Sequence, residues 1–98
     1  MDGGGIGAVA VHPSRKTFAV AEKCRHRSPH VYLYSYPELT LLKVLRGGTE
    51  RQYSALAFNE RGDTLASVGG YPDYLLTLWN WQDESITLRA KAFSQVGN

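Results

Sequence analysis

The chain has 98 residues, 43% of them hydrophobic and 20% charged, with a formal net charge of +2. That is too apolar for a disordered segment and too weakly basic to imply nucleic acid. A single cysteine excludes an internal disulfide and fits a reducing compartment. Met1-Asp2-Gly3-Gly4-Gly5 has neither the basic region nor the apolar run of a signal peptide, and no stretch approaches the roughly 20 apolar residues of a membrane span.

In chain order, residues 1–5 read as a flexible lead-in and 6–11 as a first strand, closed by the turn His12-Pro13-Ser14-Arg15. A second strand covers 17–21, and EKCRHRSPH, residues 22–30, reads as a polar loop. A third strand at 31–36 is stopped by Pro37, and 39–45 forms a fourth, outermost strand. Residues 46–53 link to a second set of strands at 54–58, 64–68, 75–81 and 86–93, with 94–98 as a tail. Gly62 supplies the positive φ that the turn at 59–63 needs, and two glycines and a proline break the chain at 69–74. No segment keeps a helical period.

The two sets are one repeat. Val9-Ala10-Val11 matches Leu56-Ala57-Phe58, and Phe18-Ala19-Val20 matches Leu65-Ala66-Ser67, both at an offset of 47; residues 31–36 match 76–81 at an offset of 45. A period of about 40–45 residues with four strands per unit is the propeller signature. The order apolar strand, NxxGD-like turn, LAS strand, glycine break and LTLWNW resembles a WD40 blade, with Trp79-Asn80 where that family has Trp-Asp. The expected fold is therefore all-β: two WD40-type four-stranded antiparallel blades, at 6–45 and 54–93, forming a portion of a β-propeller. Propellers have about four to eight blades, and both faces of each blade are apolar because neighbours cover them. Two blades leave outer faces wet, so the chain reads as part of a longer one, whose remaining blades are its first partners, or as a short form docking on a partner. The resemblance also implies a buried hydrogen-bonded network through Trp79 and Ser67, with Asp73 as its turn aspartate. The histidine that the family adds is replaced by Arg46-Gly47-Gly48.

Candidate chemistry is thin. Gly3-Gly4-Gly5-Ile6-Gly7 precedes a strand instead of following one and opening a helix, so it does not fit a phosphate loop. Cys24, His26 and His30 have spacing for three zinc ligands, without a second cysteine or an evident fourth ligand. No G-x-S-x-G elbow and no H-E-x-x-H occurs. The expectation is a non-enzymatic chain with no cofactor and no metal. Tyr32, Tyr34 and Tyr36 form a stripe matched by Thr77, Trp79 and Trp81, read as packing against a neighbouring blade and not as a base-stacking platform.

Antiparallel order gathers the loops at 22–30, 46–52 and 69–74 at one end. That end carries Lys23, Arg25, Arg27, Arg46 and Arg51 against Glu22, Glu50 and Asp73, and is a candidate contact for an acidic partner, tubulin being one. Ordinary solvated loop charge is the competing reading. The stretches at 10–23, 44–51, 65–81 and 88–95 are similar to the WD40-repeat cilia- and flagella-associated proteins. That resemblance implies an axonemal scaffold of the tether and tether-head complex, whose partners would be other tether-head subunits, inner-arm dynein and microtubules, with neither nucleic acid nor membrane involved. A cytoplasmic WD40 adaptor that binds a peptide is the alternative.

Overall fold

In a computed structural model that describes residues 5–71 and 74–91, the chain forms eight strands and no helix. The first sheet comprises β1 (Gly5–Val11), β2 (Thr17–Lys23), β3 (Val31–Ser35) and β4 (Leu41–Leu45). The second comprises β5 (Tyr53–Phe58), β6 (Thr64–Gly69), β7 (Leu75–Asn80) and β8 (Ser85–Lys91). Each sheet is an antiparallel meander in sequence order. The architecture is that of two propeller blades, as the repeat requires.

The turns obey the repeat as closely as the strands do. The hairpin turns after β1, β3, β5 and β7 each hold one left-handed residue: Arg15 (φ 63°), Leu39 (φ 62°), Gly62 (φ 78°) and Glu84 (φ 58°). Gly62 takes the positive φ expected of it, and Arg15 occupies the same place one repeat earlier. The Tyr36-Pro37 bond is cis, and the turn it belongs to ends β3 at Ser35, one residue before the expected limit. β4 then starts at Leu41, because Leu39 is left-handed and outside the ladder.

Strand register sorts the side chains onto faces. In the first sheet Ala10, Ala19 and Leu33 are paired across β1–β3 and lie on one face; Val11, Phe18 and Tyr34 lie on the other. The alanine face, with Ala21, Val31 and Leu45, is buried. It packs on the face of the second sheet that carries Leu65, Trp79 and Trp81, with Leu56 and Phe58 at the edge of the cluster. β1 lies beside β5, so the core is a single layer between the blades. Small residues on one wall make room for two indoles on the other. Burying a tryptophan of this kind removes about 200 Å² from water, worth about 5 kcal/mol as an upper figure.

The Trp79–Trp81 half of the aromatic stripe faces the neighbouring blade, but Tyr32 and Tyr34 lie on the outer face of the first sheet, turned away from the second. Because the two sheets repeat in the same sense, like faces point the same way. Phe18 stacks on Tyr34 with centroids 5.6 Å apart, and Tyr36 in the turn is exposed.

Candidate functional site

Two clusters hold the blades in register, one at each end. At the end of the β1–β2 turn, the His12 imidazole wedges edge-on between Phe58 and Trp81, with centroids 5.1 and 5.8 Å away. The Ser14 backbone N–H donates to His12 Nδ1 at 3.0 Å, so Nε2 carries the proton and donates to the Gly62 carbonyl at 3.0 Å. Trp81 Nε1 donates to the same carbonyl at 2.7 Å. A side chain on Gly62 would run into the His12 ring. The sequence places His12 only in the turn that closes the first strand, with no contact across the blades assigned to it.

At the other end the chain crosses between blades through Gly47 and Gly48. Trp79 Nε1 donates to Ser67 Oγ at 3.0 Å, and Thr77 Oγ1 donates to the Gly48 carbonyl at 3.3 Å. Gly48 lies so close to Tyr53 and the Trp79 ring that a Cβ there would overlap both. Tyr53 is only 3% exposed, and burial pushes its phenol up to about 12. In place of the family histidine, then, the space is filled by a bare glycine backbone and the Tyr53 ring. Asp73, the expected turn aspartate, lies outside the described residues. Asn80, which replaces the usual aspartate after the tryptophan, donates to Asp83 Oδ2 in the β7–β8 turn at 2.9 Å.

Glu22 departs most from expectation. It was expected in a polar loop, yet it belongs to β2 and is fully buried. Its Oε1 accepts from Arg27 at 2.5 Å, from the His30 backbone N–H at 2.9 Å and from the Tyr32 hydroxyl at 3.5 Å. Burial raises the carboxyl, but the Arg27 hydrogen bond, the His30 N–H and the nearby positive charge outweigh it and hold Glu22 below its ordinary value. The loop 24–30 is thus folded over a charged anchor. His30 is drawn into that anchor, whereas Cys24 faces the cleft between loops. Among the described residues no group of three His, Cys, Asp or Glu stands close enough to hold a metal ion.

The loops after β2, β4 and β6 converge as their antiparallel order requires, enclosing a cleft of about 470 Å³. It is lined by Cys24, Arg25, Glu50, Arg51, Gln52, Gly70 and Tyr71. Of the five expected contact residues, Arg25 and Arg51 line this cleft. Lys23 and Arg46 are exposed outside it, and Arg27 is committed to Glu22. With Glu22 and Arg27 paired to each other, the exposed positive charge here is carried by Lys23, Arg25, Arg46 and Arg51.

No protein-family model matches the chain. Cilia- and flagella-associated protein 44 of Chlamydomonas reinhardtii is 70% identical over 96% of the chain, and its counterpart in Mus musculus is 50% identical over 95%. Cilia- and flagella-associated protein 43 of Xenopus laevis is 38% identical over 95%. The chain spans only about 5–6% of the length of these relatives. Among solved structures, the β-propeller domain of Cps50 (Swd1) from Myceliophteria thermophila superposes with a TM-score of 0.75, covering 93% of this chain and 27% of that one at 16% identity, a likeness of fold alone. In sequence and in fold, the chain is a two-blade WD-repeat segment of the kind found in the cilia- and flagella-associated proteins, and it resembles protein 44.

Proposed function

We propose that the chain is a non-enzymatic scaffold element of the motile axoneme, part of a tether and tether-head assembly that links inner-arm dynein motor heads to doublet microtubules. The supporting observation is the 70% identity to a cilia- and flagella-associated protein, sustained across 96% of the chain. Blades 6–45 and 54–93, joined by 46–53, would act as a stiff mount, because buried side chains lock one against the other. The mount meets its partner through the loop end, where Arg25 and Arg51 line a cleft and Lys23 and Arg46 flank it. An acidic surface on tubulin or on a tether subunit is the matching chemistry.

Cross-linking mass spectrometry on intact motile axonemes tests the reading through Lys16, Lys23, Lys43 and Lys91. Lys23 should link to dynein heavy chain, tubulin or a tether-head subunit more often than Lys16, which lies at the opposite end. Recovery of the chain only in the soluble fraction, linked to non-axonemal proteins, would replace the scaffold with a cytoplasmic peptide-binding adaptor.

A further inference from the structure

Four hydroxyl side chains stand three residues after an arginine, a spacing that arginine-reading protein kinases select: Ser28, Thr49, Ser54 and Thr64, after Arg25, Arg46, Arg51 and Arg61. Ser28 alone is also followed by proline, Pro29. The fold separates the four further. Thr49 is buried, and its hydroxyl oxygen accepts the Arg51 backbone N–H at 3.0 Å. Ser54 and Thr64 lie inside β5 and β6, where their hydroxyls donate to the Val68 carbonyl and to Asp63. A kinase binds its acceptor as an extended segment freed from its neighbours, so these three become substrates only when a sheet comes apart. Ser28 lies outside every strand, half-buried, and its hydroxyl makes no hydrogen bond to a described residue. Its loop is clasped to the sheet through Glu22, whose Oε1 takes both Arg27 and the His30 N–H. Pro29 is fully buried beneath that clasp, so a local opening presents the whole recognition stretch with both sheets intact.

We propose that Ser28 is a phosphorylation site for a proline-directed kinase that also reads Arg25, and that its phosphate releases the 24–30 loop from Glu22. In the transfer, Ser28 Oγ bonds to the γ-phosphorus of ATP as the bond from that phosphorus to the ADP oxygen breaks. The hydroxyl proton passes to the catalytic carboxylate of the kinase. The product carries about −1.5 to −2 charges at neutral pH. It stands one peptide from Arg27, whose guanidinium donates to the Ser28 carbonyl at 3.0 Å and to Glu22 Oε1 at 2.5 Å. The phosphate therefore competes with the buried carboxylate for one guanidinium. Glu22 Oε2 has no hydrogen-bond partner among the described residues. Once Arg27 turns outward, Glu22 is left with what His30 and the Tyr32 hydroxyl supply. A buried carboxylate so weakly compensated is driven toward water, and the loop opens with it. The phosphate also sets negative charge beside Lys23 and Arg25, so it weakens the contact with an acidic partner, a consequence that rests on the function proposed above.

The test takes full-length protein carrying this segment, magnesium ATP and a proline-directed serine kinase that also selects arginine three residues before the acceptor. Phosphopeptide mapping should place phosphate at Ser28 and leave Thr49, Ser54 and Thr64 unmodified. Arg25→Ala should slow incorporation about 10-fold, and Glu22→Gln, which weakens the clasp outside the recognised stretch, should speed it. Phosphoserine installed at position 28 during synthesis should raise hydrogen exchange across 24–30 about 10-fold or more while β5–β8 amides stay protected. No phosphate at Ser28 in either the wild type or the Glu22→Gln variant overturns the site, as does earlier modification of Ser54 or Thr64. Unchanged exchange in the phosphoserine protein overturns the loop release. Co-sedimentation with axonemal doublets separates this inference from the scaffold reading. Unmodified protein that binds, and binds more weakly with phosphoserine at 28, supports both. Doublets that retain neither form, with mapping and exchange as expected, refute the scaffold reading and leave the phosphorylation site standing.

Discussion

At the scale of single residues, one glycine and one tyrosine carry constraints out of proportion to their size. Gly62 must be left-handed and must leave space for the His12 ring, so Gly62→Ala combines backbone strain with a clash. A loss of about 2–4 kcal/mol is expected in urea unfolding, against under about 1 kcal/mol for alanine at Arg15, whose outer turn meets no such ring. Tyr53 gives a pH signature. Its phenol is raised to about 12 in the fold from an ordinary 10.0. A raised acid favours the folded state fully below pH 10, and that stability is lost as pH climbs from 10 toward 12. Unfolding midpoints should therefore fall across that window by an amount equivalent to about 2–3 kcal/mol, and Tyr53→Phe should flatten the fall.

At the scale of elements, the informative one is the end of β2 and the loop that follows. A buried carboxylate inside a strand is tolerable only because Arg27 and the His30 N–H satisfy one of its oxygens. Glu22 is held below its usual value, so it stabilises the fold above pH 4.5, and the stability is lost as pH falls through the lowered folded value. Glu22→Gln should lessen this acid sensitivity. Arg27→Ala leaves the carboxylate unpaired and should cost about 1–3 kcal/mol near neutral pH, discounted for the guanidinium's partial exposure. Hydrogen exchange across residues 24–30 should rise in the Arg27 variant while β5–β8 amides stay protected, which distinguishes a loosened loop from a global effect.

At the scale of the whole molecule, charge is divided by the topology. Strand order sends the basic loops at 22–30 and 46–52 to one end and the acidic turns, with Glu38, Glu60, Asp63, Asp83 and Glu84, to the other. If the basic end meets an acidic partner, the double variant Arg25→Glu, Arg51→Glu should weaken binding about 10-fold or more in a co-sedimentation assay with axonemal doublets. The wild-type affinity should fall with added salt, since exposed charges are screened beyond about 8 Å at physiological ionic strength. Reversal at Arg61, on the opposite end, should leave binding within about 2-fold of wild type.

The repeat offsets, the alternation of apolar residues and the placement of Gly62 were enough to define eight strands in two blades, because strand pairing is dictated by local pattern and turn chemistry. The convergence of the loops at 22–30, 46–52 and 69–74 was also legible, since antiparallel order alone places them. What the residues could not reveal was which wall each side chain would meet. Glu22 reads as loop because its partners, Arg27 and His30, come back to it only when the loop folds. His12 reads only as a turn residue because Phe58, Gly62 and Trp81 lie 46 to 69 residues away and reach it only across the blade interface. The tyrosine stripe lies on the open face for the same reason. The strand pattern repeats in both blades, and the direction in which they stack is a property of their three-dimensional twist and contact.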